Sequence, residues 1–430
     1  MTTNTAKTTK INPAVGYSQL SDKQTLDQVH ISGAQHYKRI DLVVRKTEGC
    51  WLYDDKGNKY LDCLAAYSAA NQGHHHPKMV QAIKDAVDGQ YGSVISNVVY
   101  TDSLAMFLDK ISNLVPQLGV RFGATGNRTL PKNGGVESVE TAIKLARAYG
   151  YKQKNIPDGK QEIIVAGNNF HGRTITAVSF SSSEEYREGF GPLTPGFVNV
   201  AYGDTEAVRN AINENTCAIL IEPMQGEGGM NIPREGFLGD CRRLADDNDL
   251  LLIFDEIQVG LGRTGRMFCF EHENVVPDAL VLGKAISGGL VPMSVLVTNT
   301  RLMDMAFYPG RDGSTYGGYP LACVAGCTAL DILIDEDLPG RAAKMGAILK
   351  KKIEEVCARS EHVKEVRGKG LFIGIEVKNG DAMQYCRKLL EHGVLANDSH
   401  GHTIRISPPL IINEEEIDYL VRRLERVLVG

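Results

Sequence analysis

Apolar runs of strand length, each stopping on one polar or charged residue, recur through the middle of this chain with helical stretches between them. A run that is apolar at every position, not every second one, suits a strand covered on both faces, the condition of a parallel sheet wrapped by helices. From about 76 to 330 the pattern predicts a helix over 137–151, a strand over Glu162–Ala166 and a strand over 217–221. A helix over 236–248 follows, then strands over 250–254, Ala279–Leu282 and 293–297. The alternation predicts an α/β fold with a mostly parallel sheet. Trp51 to Asp62 reads as a β-hairpin around a turn of Asp, Lys, Gly and Asn. After Tyr319-Pro320 the character changes: helices over 321–334 and 342–357, strand 371–377, helix 382–392, strand Thr403–Ile406 and a final helix Glu414–Leu428. These predict a smaller α+β unit. The expected organisation is an N-terminal segment over 1–75 packing with the small domain, a large domain over 76–320 and a C-terminal small domain over 321–430.

The 430 residues exceed what one small core needs and suit two units. The net charge of −5 and the lack of a basic stripe exclude the electrostatic footprint of a nucleic-acid partner. No stretch approaches the roughly 20 apolar residues of a membrane span. Residues 1–24 read as loosely ordered and resemble neither a signal peptide nor an Arg-rich transit peptide. Nine scattered cysteines without a CxxC pair read as free thiols in a reducing compartment, so a cytoplasmic location is expected. Asn127-Arg128-Thr129 matches the glycosylation pattern, which without a secretory signal is read as chance. His74-His75-His76 and the pair His400/His402 have no Cys, Asp or Glu at ligand spacing around them, so no metal site is expected.

Two of the runs carry the chemistry. Leu250 to Phe254 leads into Asp255, and Ala279 to Leu282 leads through Gly283 into Lys284. A lysine and an aspartate at neighbouring strand mouths suit pyridoxal phosphate (PLP). The amine can form a Schiff base with the aldehyde, and the carboxylate can keep the pyridine nitrogen protonated. A surface lysine after an ordinary strand is the competing reading of Lys284 alone. Asn133-Gly134-Gly135-Val136-Glu137 opens a helix and reads either as a phosphate cradle or as a glycine turn with a plain N-cap. In Asn169-Phe170-His171-Gly172-Arg173-Thr174 the aromatic can stack on a planar ring and the arginine can clamp a carboxylate. Glu222 to Gly229 places polar groups at a strand end, where open α/β sheets hold ligands. Gly313-Ser314-Thr315-Tyr316-Gly317-Gly318 supplies hydroxyls for a phosphate or is a flexible loop.

In order along the chain, NQGH at 71–74, NGGVESVETA at 133–142, NFHGRT at 169–174 and EPMQGEGG at 222–229 are followed by FDEIQVGLGRTG at 254–265. LGKAISGG at 282–289, GSTYGG at 313–318 and RGKGL at 367–371 complete the series. With these the chain, from about residue 30 to its end, resembles the class III aminotransferases, PLP enzymes of fold type I. Within that family Tyr37, Tyr67 and Arg405 make it most similar to the branch that acts on ornithine. The resemblance implies transfer of the terminal amine of ornithine to 2-oxoglutarate, giving glutamate and glutamate 5-semialdehyde. His171 is shared with the acetylornithine branch, and a donor such as acetylornithine, lysine or another ω-amino acid is the alternative.

By the same resemblance Lys284 is the Schiff-base lysine and proton carrier, Asp255 pairs with the pyridine nitrogen, Gln258 lies near the ring hydroxyl and Phe170 stacks on the ring. Gly134, Gly135 and Val136 form the phosphate cradle. Thr315 and Ser314 join it from the partner subunit of a homodimer with shared active sites. Tyr37, Tyr67 and Arg173 hold the far end of the donor. Arg405 binds the α-carboxylate of 2-oxoglutarate, and Glu227 masks Arg405 when an ω-amine is bound.

Overall fold

The computed structural model describes residues 20–89, 91–123 and 125–430; the expectation of loose order over 1–24 falls mostly outside them. Three sheets organise the described residues. The hairpin from Trp51 to Asp62 forms, with β1 (Lys46–Glu48), β2 (Trp51–Tyr53) and β3 (Lys59–Asp62) antiparallel and Trp51 opposite Leu61.

The central sheet takes β4 (Asn127–Lys132), β5 (Glu162–Ala166), β6 (Phe197–Val200), β7 (Thr216–Ile221), β8 (Leu251–Asp255), β9 (Ala279–Leu282) and β10 (Ser294–Asn299), in the order β4-β10-β9-β8-β7-β5-β6. Strands β5 to β9 pair in parallel. β10 runs antiparallel to both β9 and β4. The third sheet contains β11 (Val363–Lys369), β12 (Phe372–Val377), β14 (Asn397–Ser399) and β15 (Thr403–Ile406), all antiparallel. β13 (Val394–Leu395) instead pairs in parallel with β3, so the N-terminal hairpin is closed by the C-terminal part of the chain.

Central strands β7, β8 and β9 are buried at every residue, which is why their apolar character does not alternate. Helix Gly135–Lys152 lies on this sheet through Val139, Ala142, Ile143, Leu145, Ala146 and Tyr149. Its start is set by Glu137, whose carboxylate accepts the N–H groups of Asn133 (3.1 Å) and Gly134 (2.5 Å). The C-terminal elements are joined to the central sheet by Arg263, which is fully buried. It donates to the carbonyls of Leu371 (3.0 Å) and Pro408 (2.5 Å) and to the Asn71 side chain. Burial pushes its pKa down to about 9, against the opposing charge of Asp62.

Among the described residues no helix is long and apolar enough to cross a membrane. All nine cysteines are free thiols. Asn127 of the glycosylation-like triplet turns its amide to the carbonyls of Ser112, Val115 and Pro116, so the group is occupied inside the fold. The three histidines of 74–76 face three different partners: Asp62, the carbonyl of Thr47 and Glu336.

Candidate active site

Asp255 is the last residue of β8, and Lys284 follows the end of β9, its parallel neighbour, by two residues. The strand pairing alone therefore brings the two to one edge of the sheet. Lys284 has φ +47°, a left-handed conformation that a lysine adopts at a cost and that bends the chain away from β9. Both residues line a cavity of about 260 Å³ together with Gly135, Val136, Phe170, Arg173 and Gln258. A larger and more open cleft, about 740 Å³, lies along the C-terminal half of helix Gly135–Lys152 and contains none of these residues.

The cavity has a cationic end, an acidic floor and an apolar wall. At one end the backbone N–H groups of Gly135 and Val136 lie in the first turn of an 18-residue helix, where no intrahelical acceptor reaches them. Gly172, with φ +126°, packs so tightly against Val136 that a Cβ there would stand 2.3 Å from Val136 Cγ2. That contact holds the 169–174 loop against the helix start. On the floor Asp255 accepts the Ile257 N–H (3.0 Å) and pairs through Oδ2 with His171 Nδ1 (2.7 Å). Burial pulls the His171 pKa down, but the bond to Asp255 and its charge outweigh this and the net shift is upward. His171 Nε2 is buried with no partner among the described residues. Beside it Glu222 accepts the Phe170 N–H (3.2 Å). Burial pushes the Glu222 carboxyl up to about 7, against the pull of His171 and with the push of Asp255.

Burial lowers the Lys284 pKa, and the Arg405 charge acts in the same direction. Glu227, Asp255 and Glu222 oppose them without cancelling the shift. An amine held in that way is more often neutral, which is the state that acts as nucleophile or base.

At the mouth stands a second ion pair. Arg405, on β15 and fully buried, donates from both terminal nitrogens to the two oxygens of Glu227 in a two-pronged contact, 2.7 and 2.8 Å. Burial raises the Glu227 pKa, but the charge and hydrogen bonds of Arg405, helped by Lys284 and Gln258, outweigh it and the net shift is downward, so this carboxylate stays charged. Gln258 Nε2 reaches Glu227 Oε1 at 3.4 Å. Gly226 makes room for that amide: a Cβ there would sit 1.8 Å from Gln258 Oε1. The Tyr67 ring centre lies 5.0 Å from the Arg405 guanidinium. Tyr67 is presented by Ala65, Ala66, Tyr67 and Ser68, four successive non-glycine residues with φ between +46° and +73°. A left-handed turn of L-residues costs about 1–2 kcal/mol per residue, so this placement is maintained by surrounding contacts. Asp62 Oδ1 accepts the N–H groups of Leu64 and Ala65 (both 2.9 Å) at its start.

Of the residues expected from the sequence, Gly134 caps the helix at the cavity, and Tyr67, Glu227 and Arg405 cluster at its mouth. Arg173 lies exposed with its guanidinium 3.4 Å over the Tyr186 ring and has no carboxylate partner among the described residues. Three further expected residues, Tyr37, Ser314 and Thr315, are also absent from the cavity lining. Tyr37 is 64% exposed. Ser314 Oγ accepts from Asn133 Nδ2 (3.2 Å) and from the Gly317 N–H (2.9 Å), and Thr315 points from the exposed loop surface. Sequence reasoning passed over Glu222, Tyr186 and Asn397. Glu222 stood in a quoted motif at a strand end, which is a usable signal; nothing local marked the other two.

A PLP group needs a nucleophilic amine, a carboxylate for a ring nitrogen, a flat wall and donors for a phosphate. Lys284, Asp255, Phe170 and the N–H groups of Gly135 and Val136 supply that set in one cavity. The donor set therefore fits the group.

Residues 32–428 match the model of the family described as aminotransferase class III. The chain is 46% identical over 404 residues to the ornithine aminotransferase of Brevibacillus brevis, covering 94% of this chain and 97% of that one. Among solved structures, the ornithine aminotransferase of Toxoplasma gondii superposes with a TM-score of 0.90 at 35% identity, covering 96% of each chain. The acetylornithine aminotransferase of Elizabethkingia anophelis gives 0.83 at 36% identity, with 95% and 99% covered. The order of the central sheet, the lysine and aspartate at adjoining strand mouths and a match over nearly the whole chain agree: the chain belongs to the class III aminotransferase family.

Proposed function

We propose that this chain is an ornithine δ-aminotransferase that uses PLP and passes the terminal amine of ornithine to 2-oxoglutarate. The observation that carries this reading is the two-pronged Glu227–Arg405 pair at the mouth of the Lys284 cavity. A donor reacting at its δ-amine brings no carboxylate next to the reacting carbon. An unpaired Arg405 there would be a buried charge without a partner. The acceptor does bring one, and Glu227 must then move aside. His171, the feature shared with the acetylornithine branch, turns its Nδ1 to Asp255 and so bears on the cofactor side, not on the donor's far end.

When bound, PLP supplies an aldehyde that takes up the amine and a ring that draws electrons from the neighbouring carbon. The chain does the rest. Lys284 Nζ, its pKa lowered, takes the proton from the amine-bearing carbon and returns it elsewhere. Asp255, fixed by the Ile257 N–H and His171, would hold a proton on the ring nitrogen. Gly134, Gly135 and Val136 would orient the phosphate, Phe170 and Gln258 would border the ring, and Arg173, joined by the exposed Tyr37, would bind the donor's carboxylate. Tyr67 meets the polar groups at the donor's far end.

A panel of ornithine, acetylornithine, lysine and γ-aminobutyrate with 2-oxoglutarate tests the assignment, and ornithine is expected to give the highest kcat/KM. Tyr67→Ile should lower kcat/KM for ornithine by about five- to 150-fold, the worth of one lost hydrogen bond at 1–3 kcal/mol, and relax selectivity toward γ-aminobutyrate. Tyr67→Phe separates hydroxyl from ring. A Phe variant equal to wild type with both donors would remove the hydroxyl from the account.

The working unit is proposed to be a homodimer with shared sites, in a cytoplasm reducing enough to keep nine thiols free. Its support is an exposed apolar surface beside the 313–318 loop. Val98 is 88% exposed and Tyr100 fully so, and Asn97 Nδ2 donates to the carbonyls of Ser314 and Gly317, making loop and surface one face. Ser314 and Thr315 on that face then serve the partner's phosphate. Mixing inactive Lys284→Ala with an impaired Thr315→Ala chain should restore part of the activity; verified heterodimers with no recovery would count against sharing. We place the division between large and small units near residue 320, between the central sheet and the third sheet.

A further inference from the structure

We infer that Asn397 is a positioning residue for donor recognition, acting by holding the Tyr67 hydroxyl in one orientation. The inference rests on the reading of Tyr67 as a donor-binding residue. Asn397 Nδ2 donates to Tyr67 Oη at 3.3 Å across 330 residues of chain. Strand pairing fixes where that amide can be. β14 and β15 are antiparallel with Asn397 directly opposite Arg405, so the two side chains leave the same face of the sheet as neighbours. The Tyr67 ring spans them, with its face toward the Arg405 guanidinium and its hydroxyl on Asn397.

The polarity of this bond matters more than its strength. A phenol hydroxyl has one hydrogen to give and lone pairs to receive. Asn397 fills a receiving position, so the hydrogen of Tyr67 points away from the amide and stays available to an acceptor such as the carboxylate of the donor. Without Asn397 the hydroxyl turns freely, and the negative charge of Glu227, the second contributor after burial to the raised pKa of Tyr67, draws its hydrogen toward that carboxylate. A hydroxyl given to Glu227 is lost to the donor and weakens the hold of Glu227 on Arg405. The strained turn at 65–68 makes such a restraint useful, because the bonds within it, from the Tyr67 N–H to the Leu64 carbonyl (2.9 Å) and from the Ala70 N–H to the Ala65 carbonyl (3.0 Å), fix its backbone and not the Tyr67 side chain.

Four holoenzymes test this: wild type, Asn397→Leu, Tyr67→Phe and the double variant, each assayed with ornithine and with γ-aminobutyrate. Asn397→Leu should lower kcat/KM for ornithine about fivefold, the effect of one neutral hydrogen bond, through KM more than kcat. In the Tyr67→Phe background the same change should have less than about a twofold effect, since coupled residues are not additive. Asn397→Ala serves as the second variant if leucine does not fit beside Arg405. An equal loss in both backgrounds overturns the inference, because Asn397 would then act without the hydroxyl. A silent Asn397→Leu beside a damaging Tyr67→Phe also overturns it and leaves the reading of Tyr67 standing. A silent Tyr67→Phe removes that reading and the inference with it.

Discussion

Lys284→Ala should lower the rate of amine transfer from ornithine by roughly 10²–10⁴-fold, the usual worth of a positioned proton-transfer group, while the protein stays folded. Lys284 is the amine lining the cavity beside Asp255, and burial keeps it closer to neutrality than an ordinary lysine. The fold should tolerate the change for two reasons. Alanine at φ +47° bears the same strain that lysine already bears. The amine removed is one that burial penalises, so its loss deprives no buried partner of a bond. For the protein free of PLP the sign follows from the lowered pKa. The charged amine is destabilising below its folded pKa, and the effect disappears above the ordinary lysine value of 10.5. The variant should therefore match or exceed wild-type stability at neutral pH and converge with it in strong alkali. Single-turnover absorbance with ornithine and an unfolding curve measure the two halves. A folded variant turning over at the wild-type rate would remove Lys284 from the mechanism.

Glu227→Ala should invert the preference between donors. In wild type the Arg405 charge is covered from both guanidinium prongs, and its remaining Nε–H has no partner among the described residues, so the neutralisation rests on Glu227. Removing one member of a buried pair costs about 3–5 kcal/mol, an upper bound here because the side chain of Glu227 is one-quarter exposed. Glutamate brings a carboxylate that restores the pair; ornithine reacting at its δ-amine does not. The ratio of kcat/KM for glutamate over ornithine should therefore rise by as much as 10²–10³-fold. Glu227→Gln, which keeps the shape and one acceptor oxygen, should fall between. An unchanged donor ratio in Glu227→Ala would mean that the carboxylate is not a switch.

Much of the fold was legible because it is written locally. Strands Glu162–Ala166, Ala279–Leu282 and Thr403–Ile406 and helix Glu414–Leu428 lie where the apolar patterns placed them. Lys284 and Asp255 could be paired in advance because each ends a fully apolar run, and fully buried parallel strands bring such ends to one edge. The two-glycine helix start was legible for the same reason. The family resemblance paired Glu227 with Arg405 and set Tyr67 at the donor's far end, without placing the Tyr67 ring against the Arg405 guanidinium.

What the sequence determined by itself is the alternation of strands and helices, the chemistry at the strand ends and the family, since these depend on residue type and spacing along the chain. Only the tertiary structure decided the rest. The antiparallel course of β10 is a matter of pairing that a strand's own residues do not state, and the short strands β1, β6, β13 and β14 carry too few residues for a period to show. The partners Tyr67 and Asn397 lie 330 residues apart. A left-handed turn of Ala, Ala, Tyr and Ser has no propensity to announce it, because it runs against local preference and exists only where surrounding contacts outweigh its strain. Where an interaction joins residues far apart in the chain, or opposes what each residue prefers alone, only the packed structure contains it.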